Sequence, residues 1–97
     1  METITGKPYI DCWVNQSGVG VHYRTFYADK PDSEFVWHRD HNDRELEILE
    51  GEGWQIQFEG SLPYLLNDIK EVFIPAGVYH RLIKGYNNLK VKINEVI

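Results

Sequence analysis

Two histidines set in nearly identical tetrapeptides are the residues best placed to do chemistry. Val36-Trp37-His38-Arg39 recurs as Val78-Tyr79-His80-Arg81, and the second copy directly follows Pro75-Ala76-Gly77. Imidazoles change charge near neutral pH, so they serve as general acids, general bases and metal ligands. Asp40 lies two residues beyond His38, and on an extended chain the two side chains share a face. Arg44 follows across a turn, in phase with Leu46 and Ile48, whereas Glu45 and Glu47 are out of phase and should face away. Between the two copies, Ile48-Leu49-Glu50-Gly51-Glu52-Gly53 is an apolar stretch that ends in a glycine turn. Two histidines brought together from separate strands, with a hairpin between them, is the layout of a small β-barrel with a polar pocket.

The elements that must position them read as strands throughout. Alternation and short apolar runs dominate, bounded by turn signals, and no segment sustains a helical period. The pattern predicts strands over 9–14, 19–27, 34–40, 44–49, 54–58, 71–74, 79–84 and 89–96. Turns fall at 15–18, 29–33, 41–43, 51–53, 59–61 and 85–88, and 62–68 is short and irregular. Pro31 forbids a ladder donor in its loop, and Pro75 stops the strand before it. Many short strands about ten residues apart predict an all-β sandwich or barrel.

Bulk properties narrow the class. A chain of 97 residues is one domain, residues 1–97, large enough for one modest core. Aromatic residues make up 13%, a share that suits β structure. The net charge of −5, without a Lys/Arg cluster, argues against nucleic acid as a partner. No apolar run is long enough to span a bilayer, so no membrane partner is expected. Cys12 is the single cysteine and can form no intramolecular disulfide, which fits a reducing compartment. The N-terminus carries no signal pattern, and a cytoplasmic location is the expectation. Cys12, Ser17, Ser33 and Ser61 have no sequence context of a nucleophile. Gly51-x-Gly53 is a hairpin rather than a phosphate loop opening a helix.

The two histidine segments also carry a family signature. The chain resembles the cupins, whose fold is a double-stranded β-helix, or jelly-roll, barrel. The second cupin motif, Gly-x5-Pro-x-Gly-x2-His-x3-Asn, is matched over about 67–84 by Pro75, Gly77 and His80, with Lys84 at the Asn position. The first, Gly-x5-His-x-His-x(3,4)-Glu-x6-Gly, is half matched over about 34–53. Gly51 sets its register. Counting back places Arg44 at the Glu position, Asp40 at the second His, His38 at the first and Asp32 at the leading Gly. The second motif and the glycine hairpin are similar to those of acireductone dioxygenase-type cupins, which keep His, His, Glu and His as metal ligands. Here two of those four have changed.

By that resemblance His38, Asp40, Arg44 and His80 point into the barrel, and two readings follow. In the first, His38, Asp40 and His80 hold a divalent metal (Fe, Mn, Ni or Zn), the two-histidine, one-carboxylate set of non-haem iron oxygenases. The protein would then be a small metal-binding cupin, a dioxygenase or related small-molecule enzyme. His38, His80 and Arg44 would be its catalytic groups, with Arg44 anchoring a carboxylate or enolate oxygen. In the second, Arg44 pairs with Asp40 and no metal is bound. The pocket would then take an acidic or sugar-like ligand for isomerase- or epimerase-type chemistry, or for binding alone, with His38 or His80 as acid or base. A third possibility is a non-enzymatic assembly barrel with a vestigial pocket.

Residues flanking the site carry their own expectations. Arg39 and Arg81 each follow a pocket histidine and should point outward, pairing with Glu45 or Glu47. Trp37 and Tyr79 share that outward phase, and aromatic residues with Arg on one face suggest an interface, hence a homodimer. His22 and Arg24 read as a solvated face, with lining of the mouth as the alternative; Gln55 and Gln57 read as exposed, although some cupins carry Gln near the pocket; His41 reads as a solvated turn residue, with replacement of Asp40 as ligand the alternative, and Lys84 as a rim residue.

Overall fold

The computed structural model describes residues 9–16, 19–32, 35–67 and 69–96, with the backbone alone at 10–16, 19 and 96. Eight strands follow one another: β1 (Tyr9–Gln16), β2 (Val19–Phe26), β3 (Arg44–Glu50), β4 (Gln55–Phe58), β5 (Tyr64–Leu65), β6 (Glu71–Ile74), β7 (His80–Ile83) and β8 (Leu89–Val96). They form two antiparallel sheets, of order β1-β2-β8-β3-β6 and β5-β4-β7. The expected all-β architecture is thus present. Among the described residues no helix is long and apolar enough to cross a membrane.

Alternation explains which faces meet. In β8, Leu89, Val91 and Ile93 are buried, and across the ladder Leu46 lies opposite Ile93 and Ile48 opposite Val91. On the other side of β3, Leu46 faces Val72 and Arg44 faces Ile74. The small sheet contributes Ile56, and the residue before β4, Trp54, is fully buried. Phe26 and Phe35 close on the Trp54 ring, with centroid separations of 6.2 and 5.4 Å. The indole N–H donates to the Asn87 carbonyl at 2.6 Å, which satisfies the one polar atom of the ring.

Two turns set the geometry of the barrel mouth. Gly77 has φ of +80°, a left-handed conformation that favours glycine, and its N–H donates to the Asp40 carbonyl at 2.9 Å. The Ala76 N–H donates to Asp43 Oδ1 at 2.8 Å. The turn leading into β7 is therefore pinned to the loop between His38 and β3. At Gly85 the constraint is space. A Cβ there would fall on the Glu52 carbonyl oxygen and the Trp54 backbone, so the β7–β8 connection can press against the β3–β4 hairpin only as glycine. Gly85→Ala is expected to cost about 1–3 kcal/mol by overpacking, read from the urea midpoint of unfolding.

Several sequence expectations need correction. The strand expected over 34–40 is not a strand. Residue 34 lies outside the described residues, and the rest makes one isolated bridge, His38 with His80. Among the described residues its backbone bonds are those of Phe35 N–H to the Asp32 carbonyl, of His38 with His80, and of the Asp40 carbonyl with Gly77 N–H. The turn expected at 15–18 begins later, because β1 runs to Gln16; Ser17 and Gly18 lie outside the described residues. His22 and Arg24 are not on a solvated face. β2 lies inside its sheet, between β1 and β8, with His22 opposite Ile93, so the imidazole is fully buried and Arg24 is half-buried.

Candidate metal and ligand site

The repeated tetrapeptides meet each other. His38 N–H donates to the His80 carbonyl at 3.0 Å, and His80 N–H donates to the His38 carbonyl at 2.8 Å. This doubly bonded antiparallel pair places the two side chains on one face of the ladder. The rings lie 4.3 Å apart at 61°. Each ring is fixed in the same way: His38 Nδ1 lies 3.0 Å from the Val36 carbonyl and His80 Nδ1 lies 2.9 Å from the Val78 carbonyl. A carbonyl only accepts, so Nδ1 carries the proton in both rings. In the neutral ring Nε2 is then the lone-pair nitrogen. Fixing one ring nitrogen by a backbone carbonyl is how proteins orient a metal-binding histidine.

Outside the barrel the same pairing interleaves the neighbours. The Arg81 guanidinium lies 4.9 Å from the Trp37 ring centre, and that of Arg39 lies 5.2 Å from the Tyr79 ring centre. Arg81 Nε also donates to Gln57 Oε1 at 2.9 Å. The outward phase is as expected, but the partners are aromatic rings rather than Glu45 or Glu47. The reason is topological: Glu45 and Glu47 are on β3 of the large sheet, while Arg81 is on β7 of the small one.

Inside, the three expected ligands converge. One donor atom from each of His38, Asp40 and His80 lies within 4.8 Å of the others. Asp40 Oδ2 is 3.5 Å from His80 Nε2, and the Asp40 side chain is only 8% exposed. That oxygen is buried with no hydrogen-bond partner among the described residues. An unsatisfied buried carboxylate oxygen is costly, and a cation is the ordinary remedy. Burial is the largest influence on His80 and pushes its imidazole below the ordinary value. His38 and Arg44 push the same way, against the Val78 carbonyl and Asp40. The shift favours the neutral imidazole, the form in which a histidine binds metal. Two fixed imidazoles and an orphaned carboxylate fit a divalent ion.

Arg44 faces the cavity, as its phase requires. Its Nη1 is 3.5 Å from Asp40 Oδ1 and its Nη2 is 3.4 Å from Glu95 Oε1. Its Nε is buried and unpartnered among the described residues. The contact required by the metal-free reading is thus present beside the donors required by the metal reading. Glu95 was not singled out from the sequence, although it continues the inward phase of Leu89, Val91 and Ile93. A charged residue at that phase is a readable signal. Its second oxygen accepts from Asn42 Nδ2 at 2.9 Å.

These side chains line a cavity of about 290 Å³, whose apolar wall includes Phe26, Phe35, Leu46, Ile56, Ile74 and Ile93. Arg24 also reaches the cavity, with its guanidinium 3.7 Å from the centre of the Tyr9 ring. His41 is exposed, as expected of a turn residue. Gln57 is half-buried and donates to the Ser61 carbonyl at 3.0 Å. The Lys84 Nζ donates to the Lys30 carbonyl at 2.6 Å and sits 3.7 Å from Asp32. The residues that replace the Asn of one cupin motif and the Gly of the other therefore contact each other.

Two antiparallel sheets closed around a histidine-lined mouth define a cupin-fold barrel. No protein-family model and no curated protein matches the sequence. Solved structures do match. A cupin-2 domain protein from Shewanella frigidimarina aligns with a TM-score of 0.70 and 21% identity, over 91% of this chain and 80% of its own. Hydroxypropylphosphonic acid epoxidase from S. wedmorenis aligns with a TM-score of 0.72 and 18% identity, over 91% of this chain but half (50%) of the enzyme. The Fe(II) form of HppE gives a TM-score of 0.71 and 18% identity, over 90% of this chain and 49% of that one. What is shared at these identities is the cupin fold.

Proposed function

We propose that this barrel binds one divalent metal on His38, Asp40 and His80 and receives a small acidic molecule beside it. The observation that carries this reading is the pairing of two carbonyl-fixed imidazoles with a buried carboxylate oxygen that has no hydrogen-bond partner among the described residues. A divalent ion held there would act as a Lewis acid on an oxygen of the bound molecule and, as iron, would extend the chemistry to oxygenation.

The chain's own residues supply the rest. Arg44, whose Nε has no partner among the described residues, offers donors to a carboxylate or enolate oxygen. The cavity volume limits the ligand to a small molecule. His80 is buried, whereas His38 is exposed at the mouth. Oxygenase-type turnover is the preferred activity. The second reading, a metal-free barrel binding an acidic ligand with histidine acid–base chemistry, is favoured by one observation, the Arg44–Asp40 ion pair.

Elemental analysis decides between them. Protein purified without chelators or an affinity tag is expected to carry near-stoichiometric iron, manganese, nickel or zinc, and the His38→Ala/His80→Ala double variant none. Absence of metal from the wild-type protein, even after anaerobic Fe(II) loading, would replace the first reading by the second.

A further inference from the structure

The charge around the metal donors is arranged in a row. Asp40, Arg44 and Glu95 lie in sequence, carboxylate to guanidinium to carboxylate, at 3.5 and 3.4 Å, with side-chain exposures of 8%, 18% and 14%. At the first-motif position where cupins carry a ligand glutamate, this chain has a cation. A cation beside the only charged donor opposes a divalent ion, and burial strengthens that opposition. Glu95 contacts the guanidinium at Nη2, and Asp40 contacts it at Nη1. Glu95 is itself anchored, because its Oε2 accepts from Asn42 Nδ2 at 2.9 Å, on the loop between Asp40 and β3.

We infer that Glu95 is a positioning residue for the metal site. It draws the Arg44 guanidinium off Asp40 and offsets its charge, so that Asp40 stays available to a cation. The inference rests on the metal reading above. The two carboxylates and one guanidinium of this row carry a formal charge of −1. Removing the Glu95 charge leaves zero and frees Arg44 to close on Asp40. Removing the Arg44 charge leaves −2. Charge alone moves metal affinity in opposite directions in the two variants, whereas a Glu95 effect that acts by holding the guanidinium off Asp40 must also depend on Arg44. Asn42 has a matching role, since it fixes the Glu95 carboxylate without contributing charge.

The test is a double-mutant cycle read as metal affinity, by competing Zn(II) between the full chain and a chromophoric chelator. Glu95→Gln keeps the size of the side chain and an acceptor for Asn42, and removes only the charge. It is expected to weaken Zn(II) binding by about tenfold, and Arg44→Met to tighten it by about tenfold. In the Arg44→Met background, Glu95→Gln should change affinity by less than about threefold, the mark of an effect relayed through the guanidinium. Glu71→Gln, an exposed change of equal charge on β6, should change nothing, and Arg44→Lys should retain the Glu95 dependence if Arg44→Met fails to fold.

An unchanged affinity in Glu95→Gln, with wild-type binding intact, overturns the inference and leaves the metal reading standing. So does an equal loss with and without Arg44, because Glu95 would then act by its charge alone. A wild-type protein that takes up no Zn(II) removes the metal reading, and this inference with it.

Discussion

Trp54→Ala is expected to remove a large share of the protein's stability and to lower its urea midpoint by more than about one molar. Removing a buried Trp costs about 3–5 kcal/mol, set against a total stability of about 5–15 kcal/mol for a domain of this kind. This tryptophan is fully buried within the protein's hydrophobic cluster. Phe26 comes to it from the large sheet and Phe35 from the segment carrying His38. Its indole N–H is the donor to the Asn87 carbonyl, and its own carbonyl accepts from Leu66 N at 2.9 Å. The loss of the ring empties the contact between the two sheets and orphans a carbonyl in the β7–β8 connection. Urea titration followed by circular dichroism measures it. A midpoint within a few tenths molar of wild type would mean that the hydrophobic centre lies elsewhere.

Asp40→Asn is expected to remove metal binding while leaving the fold standing. Changes to groups that merely orient metal ligands cost about 10–100-fold in affinity, so losing the one charged ligand should cost at least about 100-fold. Stability should change much less. Arg44 retains Glu95 across 3.4 Å, so its cation is not left without a counter-charge, and an amide fills the same space. The combination is diagnostic. Loss of Zn(II) affinity with a nearly unchanged melting temperature marks Asp40 as a ligand. A large fall in melting temperature with no metal bound by either protein marks it as the structural partner of Arg44.

How far the sequence anticipates the molecule depends on what each residue answers to. The strands whose faces differ sharply in polarity were legible: β6 and β8 fall where alternation and the stop at Pro75 place them. Arg44 was legible as inward, because it keeps step with Leu46 and Ile48 and a slip of one residue would expose both. The segment before Asp40 misled, because its composition is that of a strand while, among the described residues, β7 and the turn before it offer hydrogen bonds only at His38 and Asp40. His22 and Arg24 misled for the opposite reason. Their polarity suggests solvent, but their position opposite Ile93 and Val91 places them inside. The outward arginines pair with rings rather than carboxylates, a choice made by the meeting of two distant tetrapeptides. Glu95 hid in plain alternation, as a charge at a core phase near the end of the last strand.

The isolated bridge between His38 and His80 has a consequence for how the cavity opens. One donor of the candidate metal triad sits on a continuous strand, β7, while the other histidine and Asp40 sit on a segment that, among the described residues, is tied to β7 and the turn before it by the His38–His80 pair of backbone bonds, the Gly77–Asp40 bond and two cation–π stacks. Local opening free energies follow the number of buried contacts and ladder bonds that must be broken. Peeling residues 36–39 away breaks few of either and leaves both sheets intact. The site's donors thus belong to two units of unequal stability. A bound ion that holds both units would act as a rivet, and in its absence the mouth would breathe on a faster timescale than the barrel unfolds. Amide protons of the 36–39 segment would exchange ahead of those of β8, and filling the site would slow the first without touching the second.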